Sequence, residues 1–267
     1  MVKIIVSGAC GRMGSRIIAL SKEYRELKLI GALEHEEHKD MGRDIGETIG
    51  IGHLGVNLLS NMKEIKERAD VLIDFSNPQA TLKHIRTAVE MDTAMVIGTT
   101  GFNKEELMEI ESHTQRIPCV LAPNMSIGIN LILKIIKDIS RLLGDDYDIE
   151  IIEAHHRLKK DAPSGTALKL AETIAEALNR NLDEVGVYTR KGLIGERKRK
   201  EIGIQTIRAG DIVGEHTVLF GGLGERIEIT HRASSRDTFA RGALRAAIWI
   251  AGQRPGLYDM QDVIGLR

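Results

Sequence analysis

The sequence predicts an α/β protein, a doubly wound parallel sheet followed by a second α+β domain with a mostly antiparallel sheet. Three observations carry this. A short apolar run at residues 3–6 leads into a turn with glycines at 8, 11 and 14, and then into a helical pattern. Short β-branched runs alternate with amphipathic stretches as far as residue 122, as in parallel strands joined by helical crossovers. After Ser126 that alternation stops, and three strand-like runs follow one another between residues 202 and 231. The expected domains are residues 1–126 plus 236–267, and residues 127–235.

In order, strand 3–6 ends at Ser7-Gly8-Ala9-Cys10-Gly11-Arg12-Met13-Gly14, and a helix follows over 17–24. A second strand over 27–33 ends at Glu34, twenty residues after Gly14. Strand, glycine turn, helix, strand and terminal acid are the context a Rossmann-like dinucleotide site requires. Gly8 can turn the chain, Gly11 can admit a pyrophosphate, and Gly14 can let helix approach strand. Arg12 can add a cation, and Glu34 can accept hydrogen bonds from a ribose. Residues 38–60 read as irregular, 62–68 as helix, 69–76 as a buried strand, 80–91 as helix and 95–97 as strand. A helix over 104–116 and a strand over 118–122 complete the first pattern. Small-residue turns recur at strand carboxyl ends, where such sheets bind ligands. Gly98, Thr99 and Thr100, and Ala122, Pro123, Asn124 and Met125, are therefore further nucleotide candidates.

The second domain starts with a long amphipathic helix over 127–143 and a strand over 148–154. Next comes the segment Glu153 to Thr166, EAHHRLKKDAPSGT, which carries His155, His156, Lys159, Lys160 and Asp161. It opens a helix over 164–178, with Ser164 as N-cap and Gly165 and Thr166 in the first turn. Imidazoles, ammonium groups and a helix start in one loop suit a small anion that must be held and protonated. Strands are expected over 202–207, 212–220 and 226–231. The basic run 197–200 reads as a solvated loop. A last helix over 239–251 is apolar enough to pack back on the first domain.

The whole chain narrows the function classes. With 267 residues it can bury a sizeable core, and Lys plus Arg (37) balances Asp plus Glu (38), so no global field draws nucleic acid or an anionic membrane. Four Phe, four Tyr and one Trp are too few for base-stacking platforms. Two cysteines form neither a metal motif nor a disulfide framework, so no metal is expected. The chain opens on an apolar strand without a signal-peptide pattern, and no run approaches a membrane span. A cytoplasmic location is expected.

The chain resembles the dihydrodipicolinate reductases of bacterial lysine and diaminopimelate biosynthesis over essentially its whole length. The resemblance rests on GACGRMG at 8–14, IDFSNP at 73–78, GTTGF at 98–102, EAHHRLKKDAPSGTA at 153–167, RAGDIVGEH at 208–216 and ITHRASSR at 229–236. It implies a reductase that transfers hydride from NADH or NADPH to a small cyclic dicarboxylate, 4-hydroxy-tetrahydrodipicolinate or the dihydrodipicolinate it yields. It implies His155 as proton donor, Lys159 as a second proton-donating and carboxylate-binding residue, and His156 as a substrate contact. Gly165 and Thr166 match the substrate-carboxylate site. Gly8 to Met13, Glu34, Gly98 to Thr100 and Ala122 to Met125 match cofactor contacts. A homotetramer formed through the second domain's sheet is implied too.

Two positions depart from many relatives. His35 stands where they carry arginine after the ribose-binding acid, which implies a preference for NADH with some use of NADPH. Met125 stands where some have phenylalanine, near the nicotinamide. Two other readings stay open: a reductase of an amino-acid semialdehyde or imino acid, and a dinucleotide sensor without turnover. A serine hydrolase lacks its nucleophile-elbow pattern around Ser164.

Overall fold

The computed structural model describes residues 1–266. The chain runs β1 (Val2–Ser7), α1 (Gly14–Ser21), β2 (Leu27–Leu33), α2 (Ile45–Thr48), β3 (Leu58–Leu59), a 3₁₀ turn (Met62–Glu64), β4 (Val71–Asp74), α3 (Pro78–Glu90), β5 (Ala94–Ile97), α4 (Lys104–His113) and β6 (Pro118–Leu121). It continues with α5 (Ile127–Leu143), a 3₁₀ turn (Gly144–Asp146), β7 (Asp148–His155), α6 (Gly165–Ala177), α7 (Leu182–Val185), β8 (Gly186–Val187), β9 (Ile202–Arg208), β10 (Gly214–Gly221) and β11 (Arg226–Ala233). It closes with α8 (Asp237–Ile250), β12 (Gly256–Tyr258) and α9 (Met260–Val263). Two compact units result: Met1–Ile127 with the chain from Arg236 onward, and Gly128–Ser235. The division falls one residue later than the sequence suggests, because Ile127 packs on the first unit's core.

The first unit is a seven-stranded sheet in the order β12-β6-β5-β4-β1-β2-β3, and every pairing within it is parallel. Its central strands are apolar on both faces: Val71, Leu72 and Ile73 are fully buried, as are Met95, Val96 and Ile97. One face packs on α1 and α8 through Ile17, Ile18, Ala243, Leu244 and Ala247; the other packs on α3 and α4 through Ile85, Ala88 and Ile110. α8 is tied to α1 by a two-pronged bond from Arg16 to Asp237 (2.8 and 2.7 Å). The caps set the helix starts. Asn77 accepts from the Ala80 amide at 3.0 Å with Pro78 in the first turn, and Asn103 and Glu106 form a reciprocal capping box.

The expected helix over 62–68 shortens to the turn Met62–Glu64. Ile65 leaves the helical region (φ −76°, ψ 119°) and inserts its side chain over Gly31 in the second core. The stretch 38–60 holds α2, organised by one buried acid: Asp44 accepts from the amides of Gly46, Glu47, Leu54 and Val56 at 2.9–3.1 Å. Burial raises its pKa, and those amide bonds outweigh burial and hold it below the ordinary value. α7, β8, β12 and α9 are too short to show a period in the sequence. Among the described residues no helix is long and apolar enough to cross a membrane.

The second unit is a five-stranded sheet in the order β11-β10-β7-β9-β8. It is mixed rather than mostly antiparallel: β7-β10-β11 are antiparallel, whereas β7-β9-β8 are parallel. The reason is connectivity, since the chain leaves β7, runs through α6 and re-enters beside β7 as β9, which brings the strands in parallel. α5 and α6 cover one face, with Ile129, Leu133, Ile136, Leu170 and Ile174 on Ile149, Ile151, Val218 and Phe220. In the basic run, Arg197 is no solvated residue. It donates to Asp148 (2.6 Å), Glu150 (3.1 Å) and the carbonyls of Ile149 and Glu201 (2.9 and 2.7 Å).

Candidate active site

In the first unit the chain ends of β1, β2, β4 and β5 form one groove. Gly8 (φ 71°) reverses the chain after β1, and a Cβ there would lie 2.4 Å from the Phe75 carbonyl oxygen. Gly14 starts α1 so close to the turn that a Cβ would lie 2.1 Å from the Gly8 carbonyl oxygen. The N-cap position, Met13, supplies no side-chain bond, and within the first turn of α1 the Ser15 amide donates to the Gly11 carbonyl at 3.1 Å and the Ile17 amide to the Met13 carbonyl at 2.9 Å. Glu34 closes one end: its carboxylate accepts from the Cys10 and His35 amides, both at 3.2 Å. One stretch of the groove is lined by Gly8, Gly11, Glu34, His35, Phe75, Asn77 and His84; the next by Arg12, Met13, Phe75, Asn77, Gly98, Thr99 and Thr100.

The other nucleotide candidates divide. Ala9 is fully buried in the first core, and Cys10 brings neither a free amide, which Glu34 accepts, nor a reactive thiol, since burial and then Glu34 push that thiol up to about 11. The Thr99 hydroxyl is occupied, accepting from Thr81 Oγ1 (3.0 Å) and the Ser76 amide (3.1 Å). Ala122, Pro123, Asn124 and Met125 follow β6 beside Gly98, but the Ala122 and Met125 side chains are 4% and 1% exposed, so they can offer only backbone. Met125 is a core residue, packed so closely to α8 that a Cβ on Gly242 would lie 1.8 Å from its carbonyl oxygen. Sequence reading missed Phe75, Ser76, Asn77 and His84. The run IDFSNP was visible, but only the sheet order lays the end of β4 between those of β1 and β5.

In the second unit the centre is Glu153, with none of its surface exposed. Strand alternation puts Glu153 and His155 on the same face of β7 as Ile149 and Ile151. Glu153 accepts from His155 Nδ1 (2.5 Å), Arg208 (2.8 and 2.9 Å), the Ser164 amide (3.0 Å) and Thr206 Oγ1 (3.2 Å). Burial alone would raise its pKa, but Arg208 and then His155 outweigh burial, so it is held below the ordinary value as an anion. Removing one partner of such a buried pair typically costs about 3–5 kcal/mol.

Around that anion the predicted loop is ordered. Burial, the largest influence, lowers the His155 pKa; Glu153 opposes it, and the Lys159 and Arg208 cations add to the lowering. Ser164 caps α6, its Oγ accepting from the Ala167 amide at 3.2 Å and meeting His216 Nε2 at 3.1 Å. His216 is 5% exposed, its Nδ1 has no partner, its ring meets His155 edge-on at 5.2 Å, and burial pulls its pKa down to about 3. Gly165 is exposed at the first position of α6, and a Cβ there would meet nothing within 4 Å. Thr166 follows it, half-buried, and Lys159 reaches Asp161 at 2.8 Å. His156 is half-buried, and its carbonyl accepts from the Lys159 amide at 3.1 Å. The structure thus gathers His155, Lys159, Ser164, Gly165 and Thr166, with His156 in the turn. It adds Glu153, Arg208, Thr206 and His216, which reading by segment did not single out. Cross-strand register supplies them: Arg208 faces His155, and Thr206 and His216 face Glu153.

A parallel sheet with a glycine turn and terminal acid, joined to a mixed-sheet unit bearing an acid–base loop, defines a nucleotide-dependent two-unit oxidoreductase of the α/β class. The family models for dihydrodipicolinate reductase match both parts, the N-terminal model over residues 2–125 and the C-terminal model over residues 128–264. The chain belongs to the dihydrodipicolinate reductase family. It is 57% identical over 267 residues to the 4-hydroxy-tetrahydrodipicolinate reductase of Syntrophus aciditrophicus, and equally so to that of Syntrophobacter fumaroxidans; each alignment covers 100% of both chains. The structure is similar to a dipicolinate-bound dihydrodipicolinate reductase from Paenisporosarcina sp. TG-14, with TM-score 0.76, 26% identity and 99% of each chain covered.

Proposed function

We propose that this chain reduces 4-hydroxy-tetrahydrodipicolinate to tetrahydrodipicolinate in lysine and diaminopimelate biosynthesis. Its family membership along the full length supports the reaction. The carrying observation is His155 beside the start of α6, its Nδ1 engaged by a buried carboxylate. Loss of water from the 4-hydroxy compound gives the conjugated imine, and addition of one hydride and one proton gives the product. Bound NADH or NADPH supplies the hydride.

The chain's own residues do the rest. His155 donates the proton to the electron-rich system left by hydride addition, a contribution of typically 10²–10⁴-fold. Lys159 holds a substrate carboxylate and assists proton supply. The Gly165 and Thr166 amides at the start of α6, with the Thr166 hydroxyl, hold a carboxylate as helix N-termini hold anions. Ser164 fixes that turn, and His156 borders the substrate. A dianion placed against His155 favours its protonated form, so substrate binding itself raises the acid's readiness.

In the first unit, the turn from Gly8 to Met13, with the side chain of Arg12, binds the pyrophosphate, and Glu34 binds the adenosine ribose. Gly98, Thr99 and Thr100, and the backbone of Ala122 to Met125, border the nicotinamide half. His35 is exposed beside Glu34 and brings no fixed cation for a 2′-phosphate, which supports NADH as the preferred cofactor with NADPH also used. A homotetramer assembled through the second unit's sheet is part of this reading, supported by the family membership. A biosynthetic reductase of this kind belongs in the cytoplasm.

The deciding test follows absorbance at 340 nm with NADH or NADPH, the substrate being made by a coupled synthase from pyruvate and aspartate semialdehyde. Rapid loss of absorbance is expected, faster with NADH at low concentration. NADH binding without turnover would point to a sensor. Turnover only with semialdehydes or other imino acids would point to a different reductase.

A further inference from the structure

We infer that Glu153, clamped by Arg208, is a positioning residue that fixes which nitrogen of His155 delivers the proton and couples that donor to the anion-binding turn. The inference rests on the reading of His155 as proton donor. One carboxylate divides its two oxygens between two tasks. Oε2 meets His155 Nδ1 at 2.5 Å, and Oε1 accepts from the Ser164 amide at 3.0 Å. Arg208 grips both oxygens (2.9 and 2.8 Å) and also donates to the Asp161 carbonyl at 2.7 Å, tying the loop to the same anion. Thr206 Oγ1 adds a fifth bond at 3.2 Å.

An ionised carboxylate only accepts, so Nδ1 of His155 must carry its hydrogen, and the exchangeable proton sits on Nε2. That nitrogen points along β10, where Gly214 leaves room: a Cβ on Gly214 would lie 3.1 Å from it. Charged and titratable groups gather round the ring from several elements. Glu153 comes from β7, Arg208 from β9, His216 from β10 and Lys159 and Asp161 from the loop, while His231 on β11 faces His216 rather than His155. Lys159, Arg208 and burial all disfavour an imidazolium, and Glu153 alone among these favours it strongly. His216 buried beside the ring stays neutral and adds no competing charge. The same carboxylate orients the Ser164 amide, so the turn that holds the substrate's carboxylate and the ring that protonates it share one anchor.

Glu153→Gln keeps the shape and removes the charge. Its amide must donate to Nδ1, which reverses the tautomer of neutral His155. The limb on which kcat/KM falls with rising pH is expected to move down by about one to three pH units, the effect of losing an adjacent opposite charge. Activity at a pH above that limb then drops about 10- to 1000-fold, and much of it returns on acidification. A purely structural role would lower kcat equally at all pH values and leave the limb in place.

His155→Gln is run beside it. If the histidine variant loses the limb and Glu153→Gln leaves it unmoved, the inference falls and the donor reading stands. If His155→Gln keeps both turnover and limb, the donor reading itself fails, and the inference with it. Should Glu153→Gln not fold, the wild-type protein decides: two-bond ¹H–¹⁵N spectra of His155, assigned with the His155→Gln variant, are expected to show the Nδ1–H form when neutral. An Nε2–H tautomer would overturn the inference.

Discussion

Replacing His155 by glutamine separates chemistry from binding. The side chain is 12% exposed, and among the described residues its hydrogen-bond partner is Glu153. Glutamine can still donate an amide hydrogen towards that carboxylate but cannot deliver a proton at neutral pH. Without a positioned acid, kcat is expected to fall about 10²–10⁴-fold, equivalent to about 2.7–5.4 kcal/mol of barrier. Stability should suffer less. Glu153 keeps four bonds, two from Arg208, one from the Ser164 amide and one from Thr206, so the loss is at most one charge-assisted bond, about 1.5–3 kcal/mol. For a chain of this size that is a fall in Tm of about 3–10 °C. The nucleotide groove is built from first-unit residues, so NADH affinity by fluorescence titration should stay within about twofold. The assay is NADH consumption at 340 nm at saturating substrate, paired with that titration. A kcat within about threefold of wild type would refute the assignment. So would a loss of NADH affinity as large as the loss of turnover, because that would trace the effect to folding.

The same geometry sets the outcome of five other substitutions. Gly165→Ala has open space for its Cβ, so Tm should hold while substrate KM rises at unchanged NADH affinity; Gly14→Ala, whose Cβ would lie 2.1 Å from the Gly8 carbonyl oxygen, should lose both stability and NADH binding, read by thermal melts and titration. Lys159→Ala should raise KM and lower kcat with little change in Tm, since its ion pair with the exposed Asp161 is worth at most about 1 kcal/mol. His35→Arg should raise the ratio of kcat/KM for NADPH to that for NADH; an unchanged ratio would show that the ribose end is recognised elsewhere. His216 is held neutral when folded, with pKa about 3 against an ordinary 6.5. The unfolded chain therefore binds the extra proton between those values, and stability falls as pH drops below 6.5, by up to about 1.4 kcal/mol per pH unit. His216→Gln should flatten that part of the Tm–pH curve, and an unchanged slope would assign it to other groups.

The sequence by itself determined the elements whose signals are local. Strands 27–33 and 127–143's helix are legible because hydrophobic period and punctuation lie within the segment, and they match β2 and α5. The glycine turn, Glu34 and the His–Lys–Ser–Gly–Thr loop were legible for the same reason: each is a contiguous run whose residue types have a stated chemistry. Tertiary structure decided what depends on distant neighbours. Ile65 breaks a helical pattern because the space over Gly31 accepts it. The second sheet is mixed because α6 returns the chain beside β7. Thr99 and Met125 are nucleotide candidates by position; only the packing shows that Thr81 and Ser76 engage one hydroxyl and that the other side chain is core, which leaves Met125 its backbone. Glu153 reads as an ordinary strand acid until β9 lays Arg208 and Thr206 beside it and β10 lays His216 across from it. A buried charge acquires its meaning from the partners that offset its desolvation, and for Glu153 the foremost of them, Arg208, lies more than fifty residues away along the chain.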